Sequence, residues 1–288
     1  MLQIPCSTVI LTVIASFIVT ASFFSAPAAD CESPRRPTPV AYQAGGAPSR
    51  EADSEISRLA NQLTSPDEEK RREAVLMLAA LENSAAAPAL TSALNDSSER
   101  VRAHAIAGLA ALGDPSAVAP VAARLAQDKK PFVRKAAAYG LGRLRSAGAT
   151  AALTAALKDK DIEVRGAAAF ALGQYQDAAA VPALIGALAD KQDFVRAQAA
   201  RALGANGRAS AQAVPKLVML LTSDKDQEVK RQAATALGLI GEPSALPALE
   251  RAQRSPDPYL SRAALEAAGR IRGPAAEGLR PEPELLTA

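Results

Sequence analysis

The sequence predicts an all-α fold, an α-solenoid of about seven stacked helical hairpins. Three observations predict it. One phrase, Val-Arg-x-x-Ala-Ala-x-x-Leu-Gly, returns along the chain. Its Arg position falls at Arg71, Arg102, Arg134, Arg165, Arg196, Lys230 and Ser261, at intervals of 31, 32, 31, 31, 34 and 31 residues. Alanine supplies 68 of the 288 residues, and Ala is the best helix former and small enough to let helices approach closely. Aromatic residues make up only 3% and Trp is absent, which disfavours a β-sandwich or barrel.

Each element follows from its spacing. One residue before the Arg position stand Val101, Val133, Val164, Val195, Val229 and Leu260; seven after it stand Leu78, Leu109, Leu141, Leu172, Leu203 and Leu237. With pairs such as Ala105-Ile106 and Ala233-Ala234 between them, these residues share one face of a first helix. Gly113, Gly207 and Gly241, or a polar residue, stop that helix. A second helix follows, with Pro88, Pro182, Pro215 and Pro247 in its first turn, where a missing N–H costs nothing. The fifth unit departs from the pattern. Asn206 stands where other units are apolar, and the 34-residue interval enlarges the turn Asn206–Gln212. The expectation there is a longer loop stopped by Asn206, or a hinge or protruding contact loop.

The flanks read differently. Residues 7–24 are uncharged and almost all apolar, and Ala26 and Ala28 follow at cleavage-site spacing. Residues 1–28 are therefore expected to be a signal peptide cleaved near Ala28, or an uncleaved membrane anchor. Asp30 directly before Cys31 does not suit a lipidation site, and Cys31 would remain as a lone thiol in an oxidising compartment. Pro34, Pro37, Pro39, Gly45, Gly46 and Pro48 mark residues 29–53 as a linker. The solenoid is expected over 54–277 and a tail over 278–288.

The repeated phrase, as in Asp159-Lys-Asp-Ile-Glu-Val-Arg165-Gly-Ala-Ala-Ala-Phe-Ala-Leu172-Gly173, resembles the short HEAT-like repeats of the phycobilisome bilin lyase type. The resemblance covers roughly residues 54–277. Six residues before the Arg position stand Asp96, Asp128, Asp159, Asp190 and Asp224, replaced by Ser65 and Ser255 at the two ends. The resemblance implies a ladder in which these Asp residues and Arg102, Arg134, Arg165, Arg196 and Lys230 join stacked units. Asp also suits the start of the following helix through capping and the dipole. Loss of the pair at both ends fits terminal repeats with one neighbour.

Composition excludes most chemistry. Lys and Arg number 33 against 30 Asp and Glu, and no basic block with aromatics stands out, which argues against nucleic acid. One His and two Cys leave almost no material for a metal site or a His-based catalyst. HEAT-repeat deoxyhypusine hydroxylase, which binds iron through paired His-Glu motifs, is excluded on that ground. No nucleophile elbow or nucleotide-binding glycine pattern occurs, so no enzyme activity and no cofactor are expected. His104 is expected at the surface. Phe132, Phe194 and Tyr259, two before the Arg position, are expected to pack at the turns between units.

Tyr139, Phe170 and Arg201 share the offset five after the Arg position. Stacking would align them on an outer face, a composition typical of interface hot spots, or as aromatics that merely pack on Arg stems. The functional expectation is an exported, non-catalytic scaffold for a protein or peptide partner. The alternatives are a bilin-lyase-like accessory subunit and a membrane-tethered assembly scaffold. Membrane contact is expected only through residues 7–24, if they are retained.

Overall fold

The structure, a computed structural model, describes residues 50–273. The segments read as signal, most of the linker and the tail lie outside those residues. The repeat region forms an all-α solenoid. Fourteen α-helices follow one another among the described residues, with no strand. They are α1 (Arg50–Gln62), α2 (Glu68–Ala80), α3 (Ala87–Ala93), α4 (Glu99–Leu112), α5 (Val118–Gln127), α6 (Pro131–Leu144), α7 (Thr150–Ala156), α8 (Ile162–Tyr175), α9 (Val181–Ala187), α10 (Asp193–Ala205), α11 (Val214–Ser223), α12 (Gln227–Ile240), α13 (Leu246–Ala252) and α14 (Pro258–Arg272). The even-numbered helices carry the repeated phrase and stack directly on one another. The odd-numbered ones form a second layer with fewer mutual contacts. α1 begins at Arg50, inside the expected linker, because no breaker follows Pro48 and Glu51 and Asp53 favour its first turn.

The core is a continuous stripe between the layers. Val101, Leu109, Val133, Leu141, Val164, Leu172, Leu203, Val229 and Leu237 are all fully buried. Alanine and glycine at the seam between even helices permit close approach. An added Cβ would come within 2.9 Å of the Ala171 side chain from Gly142, and within 2.6 Å of the Ala267 backbone from Gly238. Larger residues there would force the units apart.

The connections are built from caps. Gly113 (φ 69°) and Gly241 (φ 80°) end α4 and α12 in the left-handed region, and Glu82, Arg145 and Gln176 adopt it without glycine. Six short 3-10 turns then lead into the odd helices. Asn83, Asp114 and Asp177 start three of them by accepting the N–H two residues on.

In the longest connection Asn206 caps its helix as expected, and the residues after it coil where a longer loop, a hinge or a protruding contact loop was expected. Asn206 stays right-handed and 9% exposed, and Gly207 (φ 55°) takes the left-handed step. Residues Gly207–Ala213 coil into a 3-10 turn with Ser210 and Ala213 fully buried. Asn206 keeps the buried place by donating its side-chain amide to the Ala202 carbonyl at 3.0 Å, which satisfies part of a polar group that burial would otherwise penalise.

Candidate functional site

Two sets of side chains cross from unit to unit. The first is the Asp and Arg series. Arg102 donates from Nε and Nη2 to both carboxylate oxygens of Asp128, at 2.7 and 2.9 Å, and from Nη1 to the carbonyls of Asp96 and Ser97 in its own unit. Arg134 meets Asp159, Arg165 meets Asp190 and Arg196 meets Asp224 in the same two-pronged way. Arg71, at the head of the series, grips Asp96 likewise. Each Asp also accepts the N–H two residues on, for example Asp161 N–H to Asp159 at 2.8 Å. Every rung therefore ties the turn of one unit to the turn of the next with bidentate, charge-assisted bonds.

Electrostatics follow from that geometry. Burial pushes the carboxyls of Asp96, Asp128, Asp159, Asp190 and Asp224 up. The Arg hydrogen bond, the backbone N–H and the Arg charge outweigh burial and hold all five below the usual aspartate range. Lys230 faces Ser255 in register and joins no ion pair among the described residues. The neighbouring Arg231 instead reaches Asp257 at 3.1 Å and lies 5.9 Å from the Tyr259 ring. The side-chain bonds of the five complete rungs run to one another and to the backbone of the adjoining turns.

The second set is the exposed row on α6, α8 and α10. The Tyr139 and Phe170 rings meet edge to face at 5.6 Å, and the Arg201 guanidinium lies 5.3 Å from the Phe170 ring centre. Tyr139 and Arg201 are exposed. Phe170, expected to face solvent, is half-buried because its two neighbours cover its edge and face. Arg201 also lines a recess of about 340 Å³ between α10 and α12, with Phe194, Gln198, Asp193, Asp226 and Glu228 around it. Burial pushes the Glu228 carboxyl up, yet Gln232 and Arg231 bring it below its ordinary value. The side-chain amide oxygen of Gln198, Oε1, is buried there without a hydrogen-bond partner. Aromatic faces, a cation and three carboxylates thus run together along one side of the stacked helices.

Other placements refine the sequence reading. His104 is half-buried, with Nδ1 2.6 Å from the Arg100 carbonyl. Burial at the same offset varies from unit to unit: Ala167 is fully buried, Gln198 half-buried and Glu73 exposed. Phe132, Phe194 and Tyr259 are more exposed than packing residues. Even so, the Phe194 ring fills the space over Gly166 of the preceding unit. That pairing, one after the Arg position against two before the next, recurs as Lys135 with Glu163 at 3.2 Å and Arg231 with Tyr259. The signal was in the sequence as a complementary pair of offsets, small against aromatic or basic against acidic. Among the described residues no group of three or more His, Cys, Asp or Glu could hold a metal ion, and no helix is long and apolar enough to cross a membrane.

The sequence model of a family described as HEAT repeats matches residues 56–142, 150–235 and 214–280. The chain belongs to the HEAT-repeat family. A further model, PBS lyase HEAT-like repeat, matches residues 133–159. No curated protein matches the sequence. Among solved structures, Escherichia coli YibA superposes with a TM-score of 0.58 at 23% identity, over 76% of this chain and 82% of its own. An engineered protein gives 0.51 at 23% identity, over 76% and 68%. A chain in the complex of CpcE and CpcF of phycocyanin lyase from Nostoc sp. PCC7120 gives 0.48 at 25% identity, over 74% and 86%. YibA and the engineered protein share the fold with this HEAT-repeat chain. HEAT repeats generally mediate protein interactions.

Proposed function

We propose that this HEAT-repeat protein is an exported, non-catalytic scaffold that binds a protein or peptide along the side of α6, α8, α10 and α12. The observation that carries the reading is the Tyr139–Phe170–Arg201 stack continuing into the acidic recess. Rigid aromatic anchors beside an Arg lose little side-chain entropy on binding, and the adjoining carboxylates offer partners for Lys or Arg of the bound chain. Export is supported by the uncharged apolar stretch 7–24 and the small residues Ala26 and Ala28. Retention of that stretch would make the same surface a membrane-tethered one.

The test is affinity capture from the native host with the parent and with Tyr139→Ala/Phe170→Ala. A partner recovered by the parent and lost by the variant, with both chains melting alike, supports the reading. Equal recovery overturns it. N-terminal sequencing of the mature chain separates secretion, with a start near Ala29, from tethering. A second reading, a bilin-lyase-like accessory, is favoured only by the match at residues 133–159. Absorbance after incubation with a bilin and a phycobiliprotein would reveal it.

A further inference from the structure

The six junctions between even helices obey one register. The residue six after the Arg position of a unit lies against the residues four and eight after it in the preceding unit. Gly108 packs on Ala79, Gly140 on Ile106, and Ala171, Ala202, Ala236 and Ala267 on Gly142, Gly173, Gly204 and Gly238. The residue at offset four is fully buried in the first six units, from Val75 and Ile106 to Ala234. In α14 that residue is Leu265, and it is 61% exposed. The seam glycine persists beside it as Gly269, with nothing within 4 Å of an added Cβ. At the other end, the residue at offset six in α2 is Met77, 40% exposed where its counterparts are buried. The array thus ends on a stacking face and begins on its complement.

The charges at the two ends match in the same register. The residue one after the Arg position meets those four and two before it in the next unit: Arg231 with Asp257 at 3.1 Å, Lys135 with Glu163 at 3.2 Å. In the last unit that residue is Arg262, and in the first unit the facing positions are Asp67 and Glu69. Arg262 now pairs with Glu266 on its own helix in solvent, and Glu69 with Arg72. The ladder positions match too, since Ser261 would face Ser65 and neither side leaves a buried charge without a partner. The helix order also fits: the array opens on a helix of the odd layer and closes on one of the even layer, so α1 of a second copy takes the place that follows α14.

We infer that the C-terminal face of α14 docks the α1–α2 end of a second copy of this chain, head to tail, with Leu265 and Gly269 receiving Met77 and Arg262 pairing with Glu69 and Asp67. The interface is heterologous, and continuing the array's own stacking from copy to copy builds head-to-tail oligomers. This inference is independent of the partner surface on α6 to α12.

The experiment is sedimentation velocity on the full chain across a wide concentration range, with Arg262→Glu, Glu69→Arg and their equimolar mixture. The parent is expected to grow in multiples of the monomer as concentration rises. Each single variant places like charges across the junction and should raise the concentration needed by about tenfold or more. Mixing the two restores opposite charges at every junction, and oligomers should return. Both residues are exposed, so melting temperatures should match the parent. A parent that stays monomeric throughout, as when residues 274–288 or another segment cover α14, overturns the inference. So does association that ignores both substitutions, as in a side-by-side dimer, or a mixture that stays apart.

Discussion

The junction between α6 and α8 and the last junction, between α12 and α14, share a seam and differ in their rung. Both place Gly against Ala: Gly142 on Ala171 and Gly238 on Ala267. At the first, Arg134 and Asp159 pair with side chains 5% and 13% exposed. At the last, Lys230 and Ser255 cannot form a two-pronged ion pair, and the substitute Arg231–Asp257 bridge leaves the Arg side chain 30% exposed. Both junctions stack, so apolar packing of small residues suffices to join units. The rung adds a directional bond that fixes one turn against the next, and burial makes that bond costly to break on one side only.

The comparison yields a set of expected outcomes, the largest first. The five rung carboxylates are held below the usual aspartate value of about 3.9. A carboxyl with a depressed folded value contributes stability that is present above its unfolded value and lost as pH falls through the folded one. Thermal melts should therefore show stability level above about pH 5 and falling steeply below pH 4. Local exchange should rise in α2 to α10 more than the missing rung allows it to rise at α14. A melt independent of pH down to pH 2 would break the comparison.

Asp159→Ala leaves the buried Arg134 side chain, only 5% exposed, without its carboxylate. It also frees the Asp161 N–H that Asp159 accepts. The expected cost is about 3 kcal/mol by chemical denaturation. Ser255→Ala, at the equivalent place without a rung, should cost under about 1 kcal/mol, since Ser255 Oγ only accepts the Asp257 N–H. Equal costs would mean that the rung adds nothing beyond a cap.

The seam glycines sharpen the same contrast with opposite signs. Gly238→Ala drives a methyl to 2.6 Å from the Ala267 backbone and should cost about 2 kcal/mol. Gly269→Ala, with open space around it, should gain about 0.5–1 kcal/mol through helix propensity. Stability measured on the monomer at low concentration checks both.

Much of the fold was legible because a stacked array repeats its constraints at a fixed interval. Val101, Leu109 and their counterparts fall on one face at helical spacing, and all are buried. The Asp and Arg positions were legible as a pattern, and the resemblance to HEAT-like repeats gave them a role. Two features were not legible, each because tertiary packing decided them. Asn206 is polar, yet its side-chain amide N–H donates to the Ala202 carbonyl and the residue keeps the buried place. The residues after it look like a loop but coil inward to bury Ser210. The aromatic row was legible as a shared offset, but not that Arg201 continues it into an acidic recess, because that recess needs residues from two units.

The central claim is that the Asp–Arg rung, and not position along the array, sets how firmly one unit is held on the next. Building the missing rung tests it most directly. Lys230→Arg with Ser255→Asp restores the residue types that the first five junctions carry, and the introduced carboxylate can still accept the Asp257 N–H as the Ser255 hydroxyl does. Native-state hydrogen exchange would follow the amides of α14 in parent and variant. The account predicts slower exchange in α14 by about fivefold or more, equivalent to about 1 kcal/mol, with α6 and α8 unchanged. Unchanged exchange in α14, in a variant that folds normally, would contradict it.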